Sequence, residues 1–215
     1  MEDDEDIVLS EHARLALQAF LDEKSAALNS CDDNFVEEDW ELSQFWYNTE
    51  TSVTLARSAL ECVGETGRIA CVSCPSIYNQ LRQFTSESSE NYLFEYDKRF
   101  QDKFPDRAIF YDYKNPLSID DKFKAYFDIV FADPPFLSTE CIEKFVETIH
   151  FLTHKKIVIC TGEVMEESVK ELLDLKTCDF VPQHERKLGN EFRCYANFDF
   201  DQCIAKIKST SDVNG

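Results

Sequence analysis

The chain has 215 residues, a mass of 25.0 kDa and a formal net charge of -20 at pH 7. So negative a chain is poorly suited to neutralising phosphates, and we therefore expect no stable association with nucleic acid. No apolar run approaches the ~20 residues of a membrane helix, and the acidic start Met1 to Asp6 is unlike a secretory signal, so we expect a cytoplasmic protein without a membrane span.

Acidic residues are concentrated towards the N-terminus. The first 50 residues hold 15 acidic and 2 basic side chains, a net charge of -13. We expect residues 1–39 to form an acidic segment with one helix, begun by the N-cap Ser10, and residues 40–208 to form the folded domain. Residues 209–215 are predicted to be a flexible tail. The acidic segment either solubilises the chain or docks a basic protein, and composition leaves both open.

From Thr51 onward, helical and strand patterns alternate, which indicates an α/β fold. Short runs predict five strands, over Ile69 to Cys74, Tyr92 to Tyr96, Ala108 to Tyr111, Phe127 to Ala132 and Lys156 to Cys160. Helices are predicted over Thr51 to Val63 with a stop at Gly64, Ser76 to Phe84, Thr139 to Leu152 and Glu166 to Leu173. Two last strands, Cys178 to Val181 and Phe192 to Phe198, predict a closing antiparallel hairpin.

The chain contains nine cysteines, an odd number, and most of them lie in apolar runs. We interpret them as reduced, buried thiols rather than as a disulfide framework. Cys71 and Cys74 have C-x-x-C spacing, but they lie on a predicted strand, and no second Cys or His pair has zinc-ligand spacing. We therefore assign no metal.

Polar residues follow several of the predicted strands, at the carboxyl ends where an open α/β sheet binds its ligand. In Asp133 to Phe136, two prolines fix φ and remove two N–H donors, which leaves a stiff segment between a carboxylate and an aromatic ring. Asp133 and a proline carbonyl can accept N–H bonds from an amine, while Phe136 can stack on a base or lie against an alkylammonium. The pattern indicates an amine site; a rigid turn after a strand is the alternative.

The segment Asp133 to Phe136 resembles the Asp-Pro-Pro-aromatic motif of amino-methyltransferases that use S-adenosylmethionine. Four more segments extend the similarity, from about Leu9 to Phe198, to the eukaryotic protein-lysine methyltransferases of translation elongation factor 1A, a family earlier grouped with adenine-N6 DNA methyltransferases. These segments are Ser43 to Tyr47, Phe94 to Phe100, Phe110 to Tyr113 and Asn190 to Tyr195.

This resemblance implies a fold, a cofactor and a substrate. The fold would be a seven-strand Rossmann-like class I methyltransferase, with a mostly parallel sheet, a C-terminal antiparallel hairpin and an N-terminal helical extension. S-adenosylmethionine would lie across the ends of the first three strands. The substrate would be translation elongation factor 1A, and the enzyme is expected to be a monomer.

The resemblance also implies roles for individual residues. The catalytic motif would consist of Asp133, Pro134, Pro135 and Phe136. Asp97 would hold the ribose hydroxyls, and Asp112 would lie near the adenine. The residues expected to approach the methionine portion are Ser73, Cys74 and Pro75, and those expected over the cofactor or acceptor pocket are Phe45, Trp46 and Tyr47.

One departure concerns the loop after the first strand, where the family has glycines and this chain has Cys74-Pro75-Ser76. The cofactor must therefore be held differently in detail there. Asp97 also fits a helix N-cap, Asp112 a turn, and Asn190 to Tyr195 either a wall of the acceptor channel or an edge strand. Two other functions remain open: methylation of adenine N6 or guanine N2 in nucleic acid, and an inactive methyltransferase fold used as a binding module.

Overall fold

The structure is a computed structural model that describes residues 36–64, 66–86 and 88–213. The predicted helix at Ser10 and the acidic start of the chain lie outside these residues. The described strands are β1 (Ile69–Val72), β2 (Asn91–Glu95), β3 (Ala108–Phe110), β4 (Ile129–Ala132), β5 (Lys156–Gly162), β6 (Lys176–Thr177) and β7 (Phe192–Ala196). The described helices are α1 (Thr49–Val63), α2 (Pro75–Phe84), α3 (Lys98–Lys103), α4 (Thr139–Leu152), α5 (Glu166–Leu173) and α6 (Phe200–Val213).

The seven strands form one sheet in the order β3-β2-β1-β4-β5-β7-β6. The first five strands pair in parallel, and β7 runs antiparallel to both β5 and β6. This arrangement confirms the predicted α/β fold with its C-terminal antiparallel pair. The pair differs in detail, because its first strand is Lys176–Thr177 rather than Cys178 to Val181. Since β7 lies between β5 and β6, the alternative of an edge strand at Asn190 to Tyr195 is wrong.

The central strands β1 and β4 are buried at all four positions, because helices cover both faces of the sheet. On one face, α4 and α5 pack together, and Phe145 of α4 joins Val130 in the main apolar cluster. On the other face, α1 packs on α2 and α6, and the Phe131 ring contacts the Phe200 ring of α6 at 5.8 Å. Parallel strands that are covered on both faces have continuous apolar sequences, so these strands can be predicted from the sequence.

Most helix boundaries follow the capping residues. Asn48 caps α1 through a bond from the Thr51 N–H, and Gly64 ends it with a left-handed φ of 76°, as predicted. Helix α6 was not predicted, and its backbone runs to Val213, into the segment expected to be a flexible tail. Asp199 accepts a hydrogen bond from the Gln202 N–H at the start of α6. The helix buries Phe200 against the domain, but its apolar residues are too few to give a clear helical periodicity in the sequence.

The register of the sheet aligns the strand ends that carry polar residues. Val72 lies opposite Phe94 of β2 and opposite Ala132 of β4. Beyond the ends of these strands, the Ser73 N–H donates to the Phe94 carbonyl at 2.8 Å, and the Asp133 N–H donates to the Val72 carbonyl at 3.0 Å. The loops after β1, β2 and β4 therefore leave the sheet side by side.

Candidate functional site

A cavity of about 420 Å³ opens at these strand ends. This volume falls within the roughly 300–1,000 Å³ that is typical of small-molecule and cofactor sites. Eleven of the twelve site residues predicted from sequence line it: Phe45, Trp46, Tyr47, Ser73, Cys74, Pro75, Asp112, Asp133, Pro134, Pro135 and Phe136. The twelfth, Asp97, does not.

The segment Asp133 to Phe136 leaves β4 and forms one wall of the cavity. The main-chain N–H of Asp133 donates to the Val72 carbonyl at the end of β1, and this bond fixes the backbone that carries the carboxyl group. Phe136 is 43% exposed, and its ring lies 5.7 Å from the ring of Tyr113, which also lines the cavity. This wall therefore combines a carboxyl group with an aromatic surface at its outer end.

The carboxyl group of Asp133 is only partly accessible, and loss of solvation raises its pKa from 3.8 to about 8. The Tyr47 hydroxyl opposes this rise in pKa, whereas the charge of Glu95 adds to it. At neutral pH the Asp133 side chain is therefore mostly protonated, with its pKa about one unit above the solution pH. A side chain in this state exchanges protons easily, and such groups cluster at functional sites.

The loop after β1 forms a second wall. Ser73 has a left-handed φ of 53°, so this non-glycine residue adopts a backbone conformation that glycines usually provide. Cys74 precedes α2, Pro75 occupies the first turn, and no side chain caps this helix. Main-chain N–H groups at an uncapped helix start favour negatively charged ligands, and Ser76 of this turn lines the cavity.

Glu95, at the end of β2, is an acidic residue of the cavity to which the sequence alone assigned no role. It is 7% exposed, and its Oε1 accepts the main-chain N–H groups of Tyr96 at 2.9 Å and Asp97 at 3.2 Å. Burial raises the pKa of Glu95 to about 7, against the effect of these two bonds. Tyr96, which follows it, is half exposed at the cavity mouth with its ring 5.5 Å from that of Phe110.

Asp97 lies just outside the lining of the cavity. It is the N-cap of α3 and accepts the Arg99 N–H, and its carboxylate also binds the Arg99 guanidinium at 2.6 Å and the Gln44 amide at 2.9 Å. Burial opposes its ionisation, but these bonds from Arg99 and Gln44 hold the pKa of Asp97 below its usual range. The predicted alternative of a helix cap describes Asp97 better than the ribose-binding role, because its oxygen atoms face protein donors.

Asp112 lines the cavity just beyond β3 and also forms a turn. Its two carboxylate oxygens accept the Lys114 N–H and the Asn115 side-chain amide, both at 3.0 Å. The turn given above as the alternative for Asp112 is thus present, and Asp112 also lines the cavity. Its neighbours Tyr111 and Tyr113 supply aromatic surface to the same wall.

Residues 38–48 form a strap along the cavity, held at both ends. At one end, Glu38 accepts the Trp46 N–H at 2.8 Å and pairs with Arg186 at 3.2 Å. Near the other end, Tyr47 forms an antiparallel bridge with His184, and their rings lie 4.8 Å apart. Of the three consecutive aromatic residues, Phe45 is partly exposed, while Trp46 and Tyr47 are buried against the cavity.

His184, in the connection between β6 and β7, and Phe192, the first residue of β7, complete the site. Their rings are 4.6 Å apart, and burial lowers the pKa of His184 to about 4, so its imidazole is neutral near pH 7. No local sequence motif predicts that His184 belongs to the site, because His184 reaches the cavity only through its bridge to Tyr47 of the strap. Phe192 also lines an adjoining groove of about 560 Å³, together with Asn190, Glu191 and Arg193.

Three further observations hold for the described residues alone. In residues 36–64, 66–86 and 88–213, no group of three or more His, Cys, Asp and Glu side chains is arranged to hold a metal ion. Within the same ranges, no helix has the length and apolar character needed to cross a membrane. The eight cysteines in this part of the chain are free thiols.

The strand order, with β7 reversed beside β5, and the cavity at the ends of β1, β2 and β4 define the Rossmann-like fold of class I methyltransferases. Residues 38–200 match the family described as "Probable N6-adenine methyltransferase". Over 93% of this chain and 95% of the relative, the sequence is 51% identical to EEF1A lysine methyltransferase 1 of Homo sapiens. The chain belongs to the EEF1A lysine methyltransferase 1 family.

More distant relatives agree with this family. The Danio rerio EEF1A lysine methyltransferase 1 is 49% identical over 74% of this chain and 97% of its own length. Protein-lysine N-methyltransferase CG9154 of Drosophila melanogaster is 38% identical over 94% of this chain and 98% of its length. Among solved structures, the branched-chain polyamine synthase of Thermus thermophilus aligns with a TM-score of 0.54 at 12% identity, over 83% of this chain and 62% of that one, which shows a common fold.

Proposed function

We propose that this chain transfers a methyl group from S-adenosylmethionine to a lysine amine of translation elongation factor 1A. The structural observation that carries the proposal is that Asp133 to Phe136 and the ends of β1 and β2 line one cavity. An amine-binding segment and a cofactor-sized space are thus adjacent. The substrate is suggested by the names of the vertebrate relatives, which align over nearly their whole length.

The cavity contains the groups that a nucleoside bearing an amino acid would need. Glu95 would accept bonds from the ribose hydroxyls, and the half-exposed Tyr96 ring would lie against the adenine. The left-handed backbone at Ser73 and the uncapped start of α2 would receive the carboxylate of the methionine portion. When bound, S-adenosylmethionine supplies an electrophilic methyl group on its sulfonium sulfur.

Asp133 would orient the acceptor amine. Its carboxyl group and the carbonyl of Pro134 accept N–H bonds, which aims the nitrogen lone pair across the cavity. A free lysine amine is mostly protonated at neutral pH, because its ordinary pKa is about 10.4. A fully ionised carboxylate would stabilise the ammonium form, but a carboxyl whose pKa is raised to about 8 does so less. The amine proton then leaves to water before the methyl group is transferred.

The aromatic side chains at the mouth suit an alkyl chain that ends in an amine. Phe136 and Tyr113 lie together on one side, and Phe45 is partly exposed on the strap. Rings in this arrangement contact the methylene groups of a lysine and displace water from the amine. Loss of solvation favours the neutral amine, which is the form that reacts.

A base amino-methyltransferase is the second candidate, because the matched family is described as acting on adenine N6. The net charge of -20 opposes binding to a phosphate backbone, and the relatives named for lysine methylation cover almost the whole chain. An inactive binding module would not need an intact Asp133 to Phe136 beside an open cavity. We further propose a monomer in the cytoplasm with no stable nucleic-acid partner.

The decisive experiment measures transfer of labelled methyl groups to purified elongation factor 1A and to total RNA, in parallel. We expect label in the protein only, on a lysine identified by mass spectrometry. Asp133→Ala serves as the blank, and S-adenosylmethionine binding to that variant shows that it is folded. Label in RNA alone would show that the substrate is a nucleic-acid base. Failure of the unmodified chain to bind S-adenosylmethionine would favour the inactive binding module.

A further inference from the structure

The buried hydroxyl of Tyr47 has no well-formed hydrogen bond in the described part of the chain. Its side chain is 3% exposed, and its hydroxyl makes no hydrogen bond of ordinary geometry, although the Asp133 carboxyl group lies close enough for the hydroxyl to lower the pKa of Asp133. Buried hydroxyl groups almost always have a partner, so an orphaned one that lines a cavity marks a place where a ligand or a change of ionisation provides it. The Tyr47 hydroxyl is such a group in the site itself.

The Tyr47 side chain is held in place by contacts that do not involve its hydroxyl. The backbone bridge to His184 fixes the residue, the Asn48 N–H donates to the Gln183 carbonyl at 2.9 Å, and the ring packs on His184. His184 stays neutral near pH 7, so this ring contact does not change over the working range. The hydroxyl is thus presented to the cavity by a rigid support.

The titratable groups that face Tyr47 come from three other segments. Asp133 follows β4, Cys74 lies in the loop after β1, and Cys160 belongs to β5. Asp133 in turn is faced by Glu95 at the end of β2. Of these groups, Asp133 is the one whose ionised form gains most from a donor, because it is poorly solvated and close to a second carboxyl group.

We propose that Tyr47 is a positioning residue of the acceptor site, and that its hydroxyl donates a hydrogen bond to the ionised carboxylate of Asp133. The partner that the hydroxyl lacks is then the carboxylate in its charged state. The bond stabilises that state and fixes the orientation in which the carboxylate accepts an N–H of the amine. Burial raises the pKa of Tyr47 itself, so the hydroxyl keeps its proton and acts as a donor. The proposal rests on the amine-methylating role given above.

The first test measures the pKa of Asp133 in the absence of any substrate. Carboxyl ¹³C NMR of the full chain, assigned with Asp133→Asn, gives the midpoint at which Asp133 titrates. Replacing the hydroxyl in Tyr47→Phe should raise this midpoint by about one pH unit, the size expected for a hydrogen bond to a charged group. The matched control is Tyr195→Phe, which removes another buried hydroxyl without a partner that lies outside both cavities.

A second variant covers the case in which Tyr47→Phe does not fold. Incorporation of 3,5-difluorotyrosine at position 47 keeps the ring and makes the hydroxyl a stronger donor, so the Asp133 midpoint should fall. An unchanged midpoint in both variants would overturn the proposal. So would loss of S-adenosylmethionine affinity with an unchanged midpoint, because Tyr47 would then belong to the cofactor half of the site.

The activity measurement separates this inference from the proposed function. In Tyr47→Phe, kcat for elongation factor 1A should fall roughly tenfold to a hundredfold at pH 7 and recover towards pH 9, with cofactor affinity unchanged. An equal loss at every pH would contradict a role through Asp133. If the unmodified chain does not methylate elongation factor 1A, the proposed function fails, and the NMR midpoint still decides whether Tyr47 acts on Asp133.

Discussion

The Gln44 amide donates to the Asp97 carboxylate at 2.9 Å, which fixes the strap to the start of α3. Gln44 also accepts the Asp39 N–H at 2.9 Å, so one side chain joins the two halves of the strap to a helix of the domain. Asp97 therefore shapes the cavity from outside it. This position separates it from Glu95, two residues earlier, which lines the cavity itself.

We expect Asp97→Ala and Gln44→Ala to weaken S-adenosylmethionine binding by similar, severalfold amounts, since both loosen the strap. Asp97→Ala should also lower the free energy of unfolding by about 0.5–2 kcal/mol through loss of the helix cap. Calorimetric binding and denaturant unfolding of both variants provide the check. A cofactor affinity that collapses in Asp97→Ala while Gln44→Ala binds normally would instead place Asp97 on the ribose.

Glu95→Gln should weaken S-adenosylmethionine binding by roughly tenfold to a hundredfold, the cost of losing charged hydrogen bonds to the ribose. The pKa of Glu95 is about 7, so the affinity of the unmodified chain should decrease as the pH falls from 8 to 6, because protonation removes the acceptor charge. The variant should show no such pH dependence. Isothermal titration across this range decides the matter, and a parallel pH dependence in both proteins would exclude Glu95 as its source.

Asp133→Ala should abolish turnover while leaving cofactor affinity within about a factor of three, because the side chain belongs to the acceptor half of the cavity. Asp133→Asn is the matched variant that retains one acceptor oxygen, and it should keep a small residual rate. Single-turnover methylation and direct binding measure the two effects separately. Normal turnover in Asp133→Ala would remove Asp133 from the reaction.

The stability of the ligand-free protein should decrease as the pH rises from 6.5 to 8. Burial raises the pKa values of Glu95 and Asp133 to about 7 and about 8, so the folded state holds protons in this window that the unfolded state has already lost. His184 has the opposite effect only at lower pH, since its pKa is lowered to about 4.

Thermal unfolding at several pH values tests this expectation. Asp133→Asn should show a flatter dependence of Tm on pH between 6.5 and 8 than the unmodified chain. Tyr195→Phe, which removes a buried hydroxyl outside the cavity, should keep the original slope. A stability that increased over this window in the unmodified chain would contradict the assigned burial of the two carboxyl groups.

The sequence by itself determined the features that depend on neighbours along the chain. Parallel strands with both faces covered are continuous apolar runs, so β1, β4 and β5 were found close to their true limits. The segment Asp133 to Phe136 is contiguous, and its place after a strand fixes it at the carboxyl edge of the sheet. The family resemblance rests on such contiguous segments, and the predicted fold is confirmed.

Only the tertiary structure decided which side chains face the cavity. Glu95 and Asp97 are both acidic and both follow β2 closely, and sequence patterns do not distinguish them. Asp97 is turned away because the chain enters α3 there and Gln44 arrives from the strap, whereas Glu95 stays at the strand end. His184 reaches the site through its bridge to Tyr47, a contact between distant segments that no local pattern encodes.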